Sequence, residues 1–265
     1  MRFASIASGS SGNCLYIGSG STNILIDAGI SKKKIEEGLS GLGLTGSDID
    51  AVLITHEHSD HVKGIGVWSR KYHVPIYATK GTLMEISRMS SLGKIDPSLF
   101  HPVKADQDFS VEDLQIHPIS VSHDARDPVC YRVDDGRRRI GTVTDLGRFD
   151  DYITQSLGGC DLLYVEANHD TGMLETGPYP YPLKVRIAGN YGHLSNEMSA
   201  RLIGSLNNSR LHNVILGHLS KENNFPDLAL ETVRAELFRD HDKRDINFSL
   251  SVAPRDKASE TFSID

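Results

Sequence analysis

The sequence predicts an α/β chain whose strands form two sheets packed face to face with helices outside, a four-layer αββα sandwich. Three observations predict it. Short apolar or β-favouring runs fall into two groups, the first within residues 3–78 and the second within residues 114–216. Helix-compatible stretches separate and follow these groups. A length of 265 residues gives room for a substantial core, with no short tandem repeat and no low-complexity tract, so residues 1–265 are expected to form a single domain.

Taken in order, residues 3–7 and 14–18 read as strands joined by Ser8-Gly9-Ser10-Ser11-Gly12-Asn13, a run of turn-forming residues. Ile24-Leu25-Ile26 is a strand that runs into Asp27-Ala28-Gly29. Residues 32–42 follow as a helix, with Ile35, Leu39 and Leu42 on one face. A strand at residues 51–55 delivers the chain to His56. Helices are expected near 62–72 and 81–91, with a strand at 75–78 between them. The texture then becomes antiparallel: strands at 114–121, 130–133 and 139–144, with Asp134-Asp135-Gly136 as a hairpin turn. Later strands are read at 161–166 and 211–216. Later helices are read at 195–206, capped by Ser195 or Asn196, and at 227–238, capped by Asp227. The Pro/Gly-rich stretch holding Tyr179, Tyr181, Lys184, Arg186 and Tyr191 is read as a loop. The last dozen residues are polar enough to fray.

Composition narrows the function. No window of about 18 apolar residues is present, and Met1–Gly9 turns polar too early for a secretory signal, so a cytoplasmic chain without a membrane partner is expected. Cys14, Cys130 and Cys160 stand singly, without metal or disulfide spacing. A formal net charge of −7 excludes a broad basic surface that coats nucleic acid, so any such contact must be local. The runs Lys32-Lys33-Lys34 and Arg137-Arg138-Arg139 are basic, of a size more often found on solvated faces than in binding sites.

The strongest signal is Thr55-His56-Glu57-His58-Ser59-Asp60-His61, three imidazoles and a carboxylate directly after an apolar strand. Those donors suit Zn²⁺, Fe²⁺ or Mn²⁺. In an extended segment His56 and His58 point the same way, and Asp60 and His61 can reach a second ion past a bend. One motif cannot fill two metal shells. Further ligands are therefore sought at strand ends, where His123, Asp145 and His218 stand. His101 and His117 are read as structural or exposed.

In this order of motifs the chain resembles the metallo-β-lactamase superfamily: Asp27, then His56 to His61, His123, Asp145 and His218. The resemblance implies that fold and two divalent ions. His56, His58 and His123 would hold one ion, Asp60, His61 and His218 the other, and Asp145 would bridge them. Asp27 would orient a ligand. His58, standing where the oxygen-reducing di-iron branch carries Glu, favours hydrolysis instead, with a hydroxide shared by the ions as nucleophile.

The fold does not choose the substrate. Residues 163–168, with Glu166, and 191–195, with His193, resemble motifs of the tRNA-maturation endonuclease branch, in which a Glu and a His cooperate beside the metals. Glu166, His193 and Asp60 are accordingly the expected catalytic residues, His193 serving a departing alkoxide as proton donor. Residues 7–13 and 217–224 more closely resemble the WalJ/YycJ-type bacterial family. That likeness implies a 5′ to 3′ exonuclease on double-stranded DNA with manganese or zinc, Fe remaining open. It makes Ser10, Ser11, Asn13, Ser220 and Asn223 candidate substrate contacts. Tyr179, Tyr181, Lys184, Arg186 and Tyr191 would line a polymer track. The chain has no room for a large cap domain, so recognition should be shallow. A small-molecule hydrolase, acting on cyclic phosphodiesters, thioesters or lactones, remains the alternative, and a non-enzymatic metal-binding module is a third. Oligomeric state is not readable from the residues.

Overall fold

Alternating apolar runs become the strands they suggest. In this computed structural model, which describes residues 1–240 and 246–264, the chain begins β1 (Arg2–Ala7), β2 (Cys14–Gly18), β3 (Asn23–Ile26), α1 (Lys32–Gly41) and β4 (Ala51–Leu53). It continues through α2 (Ser59–Val62), α3 (Ile65–Tyr72), β5 (Ile76–Thr79), α4 (Lys80–Arg88), β6 (Phe100–Val103), β7 (Phe109–Val111), β8 (Leu114–Ser120) and β9 (Val129–Asp134). Then come β10 (Arg139–Val143), α5 (Asp151–Ser156), β11 (Leu162–Glu166), α6 (Thr171–Thr176), α7 (Tyr181–Ala188), α8 (Asn196–Leu206), β12 (Asn213–Gly217), α9 (Pro226–Asp240), β13 (Ser249–Val252) and β14 (Phe262–Ser263). Internal contacts divide the chain into two compact units. The first comprises Met1–Ser120, Ala125–Arg137 and Pro254–Asp265, the second Val121–Asp124 and Arg138–Ala253.

The first unit holds a mixed sheet of order β14-β1-β2-β3-β4-β5-β6, antiparallel as far as β3 and parallel beyond it. Ile26 pairs with Leu53 in the β3–β4 register, so Asp27 and the chain after Leu53 leave the sheet side by side. Tyr16, Leu25, Ile35, Leu39, Val52 and Trp68 pack beneath them without solvent exposure. Each such burial is worth about 1.5–3 kcal/mol. An antiparallel ribbon, β7-β8-β9, belongs to the same unit.

The second unit is built on four parallel strands, β10-β11-β12-β13. Val143 pairs with Val165, and Val165 with Leu216, so Asp145, Glu166 and His218 all lie at one carboxyl rim. That rim is where parallel sheets place ligands. β11 is buried at every position, the continuous apolar run expected of a strand covered on both faces.

Three sequence expectations need correction. The helix near 62–72 is two helices, α2 and α3, separated at Gly64, where a Cβ would lie 2.0 Å from the Ile30 carbonyl oxygen. The loop read around Tyr181 is helix α7, because Pro182 occupies its first turn, where a missing N–H costs nothing. The tail does not fray through residue 264: Phe262 and Ser263 pair with Phe3 and Arg2, and Met1 and Ile264 exchange backbone hydrogen bonds at 2.8 Å.

Candidate metal centre

In the first unit the ligand run starts where β4 ends. His56 and His61 are buried, their rings 4.2 Å apart, and His58 sits edge-on to His56 at 4.6 Å. Glu57 is turned away and accepts the Arg126 backbone N–H at 2.7 Å, as alternation along an extended segment requires. His58 caps α2, whose first turn carries Asp60, and Asp60 Oδ2 lies 3.4 Å from His61 Nε2.

Asp27 anchors this group. Its φ of +64° is left-handed, a conformation costing a non-glycine residue roughly 1–2 kcal/mol. There its carboxylate accepts from Thr55 N at 2.9 Å, from the Thr55 hydroxyl at 2.9 Å and from His61 Nδ1 at 2.7 Å. Because the Thr55 hydroxyl donates to Asp27, its oxygen accepts from His56 Nδ1 at 3.0 Å. Both imidazoles are thereby fixed with Nε2 as the lone-pair nitrogen, the tautomer a metal ligand needs. Close approach of the two segments also requires Gly29, where a Cβ would stand 1.6 Å from the Asp60 carbonyl oxygen.

The second unit repeats the device at the rim of its parallel strands. Asp145 and His218 are again left-handed, with φ of +57° and +52°. Ligand atoms of Asp145, His193 and His218 lie within 4.8 Å of one another. His123 Nε2 stands 3.6 Å from Asp145 Oδ1, while its Nδ1 donates to the Gly192 carbonyl at 3.1 Å. Glu166, without solvent exposure, is the hub. It accepts backbone N–H groups of Asp145 at 3.1 Å, Leu146 at 2.7 Å and Leu194 at 3.0 Å, and it faces His193 Nδ1 at 3.1 Å and His218 Nδ1 at 3.4 Å. Burial pulls its pKa up, but the hydrogen bonds to His193 and His218 outweigh that and hold the carboxyl below the usual range.

Sequence reasoning missed two contributors. Thr55 links Asp27 to His56, and a hydroxyl residue directly before the first His was the available signal. Asn168 donates its amide to the His218 carbonyl at 3.1 Å, a through-space contact with no local signature.

The candidate substrate contacts divide by exposure. Ser10 and Ser11 are exposed. Asn13 is buried, its Oδ1 accepting from Gly9 N and its Nδ2 lying 3.1 Å from His61 Nε2. Ser220 and Asn223 are buried in one turn, the Ser220 hydroxyl accepting the Asn223 N–H at 3.2 Å. The polymer track needs correction: Arg186 is paired with Asp124 at 2.5 and 3.0 Å, and Lys184 donates to the Glu175 and Gly177 carbonyls at the end of α6. Tyr181 and Tyr191 remain exposed, and Tyr179 is half-buried. Of the histidines read as structural or exposed, His117 pairs with Asp108 and His101 stacks on Tyr77.

In each unit the clustered groups offer imidazole nitrogens and carboxylate oxygens, a donor set suited to divalent metal ions. The family model of the β-lactamase superfamily domain matches residues 22–218, a span that takes in Asp27, the His56–His61 run, His123, Asp145 and His218. This chain belongs to that superfamily, and it has the fold: two mixed sheets flanked by helices. It is 39% identical over 236 residues to exodeoxyribonuclease WalJ of Streptococcus pneumoniae, covering 89% of this chain and 88% of that one. It is 35% identical over 233 residues to exodeoxyribonuclease YycJ of Bacillus anthracis, covering 88% of each. Among solved structures, the metallo-β-lactamase fold protein YhfI of Bacillus subtilis superposes with a TM-score of 0.71 at 16% identity, over 97% of this chain and 98% of that chain.

Proposed function

We propose that this chain is a divalent-metal-dependent exodeoxyribonuclease that degrades double-stranded DNA from a 5′ end. The observation that carries the reading is 39% identity, over nearly nine-tenths of both chains, to a protein named an exodeoxyribonuclease, in a chain that also bears the donor set described above. We take residues 1–265 to act as one domain, with His56, His58, Asp60, His61, His123, Asp145 and His218 as the proposed ligands. In this reading His56, His58 and His123 would hold one ion and Asp60, His61 and His218 another, with Asp145 serving both, the ions being Zn²⁺ or Mn²⁺. Ions so held supply Lewis acidity toward a phosphoryl oxygen and a hydroxide near neutral pH.

The chain's own groups do the rest. Asp27, Thr55 and Glu166 keep His61, His56 and His218, in that order, in the ligand tautomer. With Nδ1 held by Glu166, His193 presents Nε2, which takes no hydrogen bond among the described residues. Protonated there, it gives its proton to the departing 3′ oxygen, and Glu166 steadies the imidazolium. No helix of the described residues is long and apolar enough to cross a membrane.

The test sets end-labelled duplex DNA, single-stranded DNA, RNA, a cyclic dinucleotide and a thioester side by side with Mn²⁺- or Zn²⁺-supplemented protein. Mononucleotide release from duplex DNA, lost in Asp60→Ala and His61→Ala, is expected. Hydrolysis of the cyclic dinucleotide or thioester alone would replace the reading with a small-molecule hydrolase.

A further inference from the structure

A second feature of the first unit points to a phosphate. A cavity of about 510 Å³ opens beside the Ser8–Asn13 loop, within the range of about 300–1,000 Å³ typical of ligand pockets. Its wall carries four cations, Lys34, Lys63, Arg255 and Lys257, against two carboxylates, Glu37 and Asp256. Glu37 is engaged by Lys33 at 3.7 Å. Lys34, Lys63 and Lys257 have no carboxylate partner among the described residues. In a chain of net charge −7, such a concentration of cations is a local exception.

The start of α1 shows the same bias. Its first turn holds Lys32, Lys33 and Lys34 and no acidic residue, the wrong sign for a helix dipole unless an anion is bound there. Lys32 and Lys33 are each answered one turn on, by Glu36 and Glu37. The residue one turn beyond Lys34 is Gly38, so Lys34 is left to the cavity, where Ser31, the cap of α1, also stands. Three chain segments connect this wall to Asn13, Asp27 and His61, of which the first two contact the third. Ser11 and Gly12 precede Asn13, Ile30 and Ser31 follow Asp27 closely, and Lys63 comes two residues after His61.

We propose that this cavity is a second phosphate subsite, in which Lys34, Lys63 and Lys257 hold a phosphate of the nucleic-acid strand whose scissile phosphate lies at the metal centre. The proposal rests on the nuclease reading. It gives an acidic protein one local patch of counter-charge, which is what binding a polyanion at a strand end requires.

The test uses full-length, metal-loaded protein and a short fluorescent duplex with phosphorothioate ends to slow hydrolysis, bearing either a 5′ phosphate or a 5′ hydroxyl. Binding is titrated across a salt series for wild type, Lys34→Gln, Lys63→Gln, Lys257→Gln and Lys34→Gln/Lys63→Gln. Each single variant should raise Kd about three- to tenfold and lower the slope of log Kd against log salt by about 1. Lys→Arg should restore both, with melting temperature and metal content unchanged throughout. Loss on both duplexes assigns the cavity to an internal diester, and loss on the phosphorylated one alone assigns it to the terminal phosphate. Unchanged Kd and slope in the double variant, with wild type binding and degrading the duplex, overturns the subsite and leaves the nuclease reading standing. Wild type that neither binds nor degrades the duplex overturns both.

Discussion

Asp27 is a single carboxylate with three demands on it: a backbone N–H, a hydroxyl and an imidazole. Asp27→Asn keeps the shape but offers only one oxygen and puts an amide N–H toward Thr55 or His61. Metal affinity should fall about 10- to 100-fold in a metal-buffered titration, as for other orienting partners of ligand histidines. An unchanged affinity would show that His61 needs no such orientation. A different histidine sets a pH limit on the fold. Burial pushes the His169 imidazole from 6.5 down to about 4, against the pull of Glu166, Glu197 and Asp170. With the folded pKa lowered, the unfolded chain binds the proton more tightly. The associated stability is therefore complete above pH 6.5 and is lost as pH falls toward 4, on the order of 3 kcal/mol in all. His169→Gln should flatten the decline of melting temperature across that window; parallel declines in the two proteins would contradict the assignment.

Strand ends are the elements that matter. Asp27 follows β3, Asp145 follows β10 and His218 follows β12, and all three adopt left-handed backbone where the chain turns off its sheet. Such turns aim a side chain out of the ladder and persist only when surrounding contacts hold them. Glu166 does so for Asp145 through its backbone N–H. Crowding at these turns gives a stability prediction. Gly29→Ala forces a Cβ toward the Asp60 carbonyl oxygen and should lower both the melting temperature and metal content, whereas Gly20→Ala, in open space, should change neither. At the other end of the scale, Ser195→Ala removes the cap that accepts Met198 N–H and should cost about 1 kcal/mol by denaturant titration.

The same elements show what a sequence reveals. β1 to β4, β8 to β12 and α8 are legible because apolar period and caps agree with burial. His56, His58, Asp60 and His61 are legible as a candidate site because three imidazoles and a carboxylate fall within six positions directly after an apolar strand. Asp145 and His218 follow as polar residues just past apolar strands. What was hidden depends on distant partners. Phe262-Ser263 is a strand only because β1 offers it an edge, and α7 looks like a loop because Pro180 and Pro182 mark both loops and helix starts. Likewise the placement of Arg186 against Asp124, and of Lys34 in a cavity completed by Lys257, follows from chain segments tens or hundreds of residues apart.

At the scale of the whole molecule, each of two compact units carries imidazole and carboxylate groups suited to a divalent ion, with a buried carboxylate against an imidazole Nδ1 in each. Metal binding should therefore stabilise the fold, since ions that bind the native chain tightly raise its apparent stability by mass action. Removal by chelator should lower the melting temperature, and readdition of Mn²⁺ or Zn²⁺ should restore it. The most direct test of the account is elemental analysis of metal-replete protein after gel filtration. Two divalent ions per chain are expected for the wild type, with loss of at least one in both His56→Ala and His218→Ala. A wild type that retains no stoichiometric metal, or a His218→Ala variant that retains both ions, would contradict it.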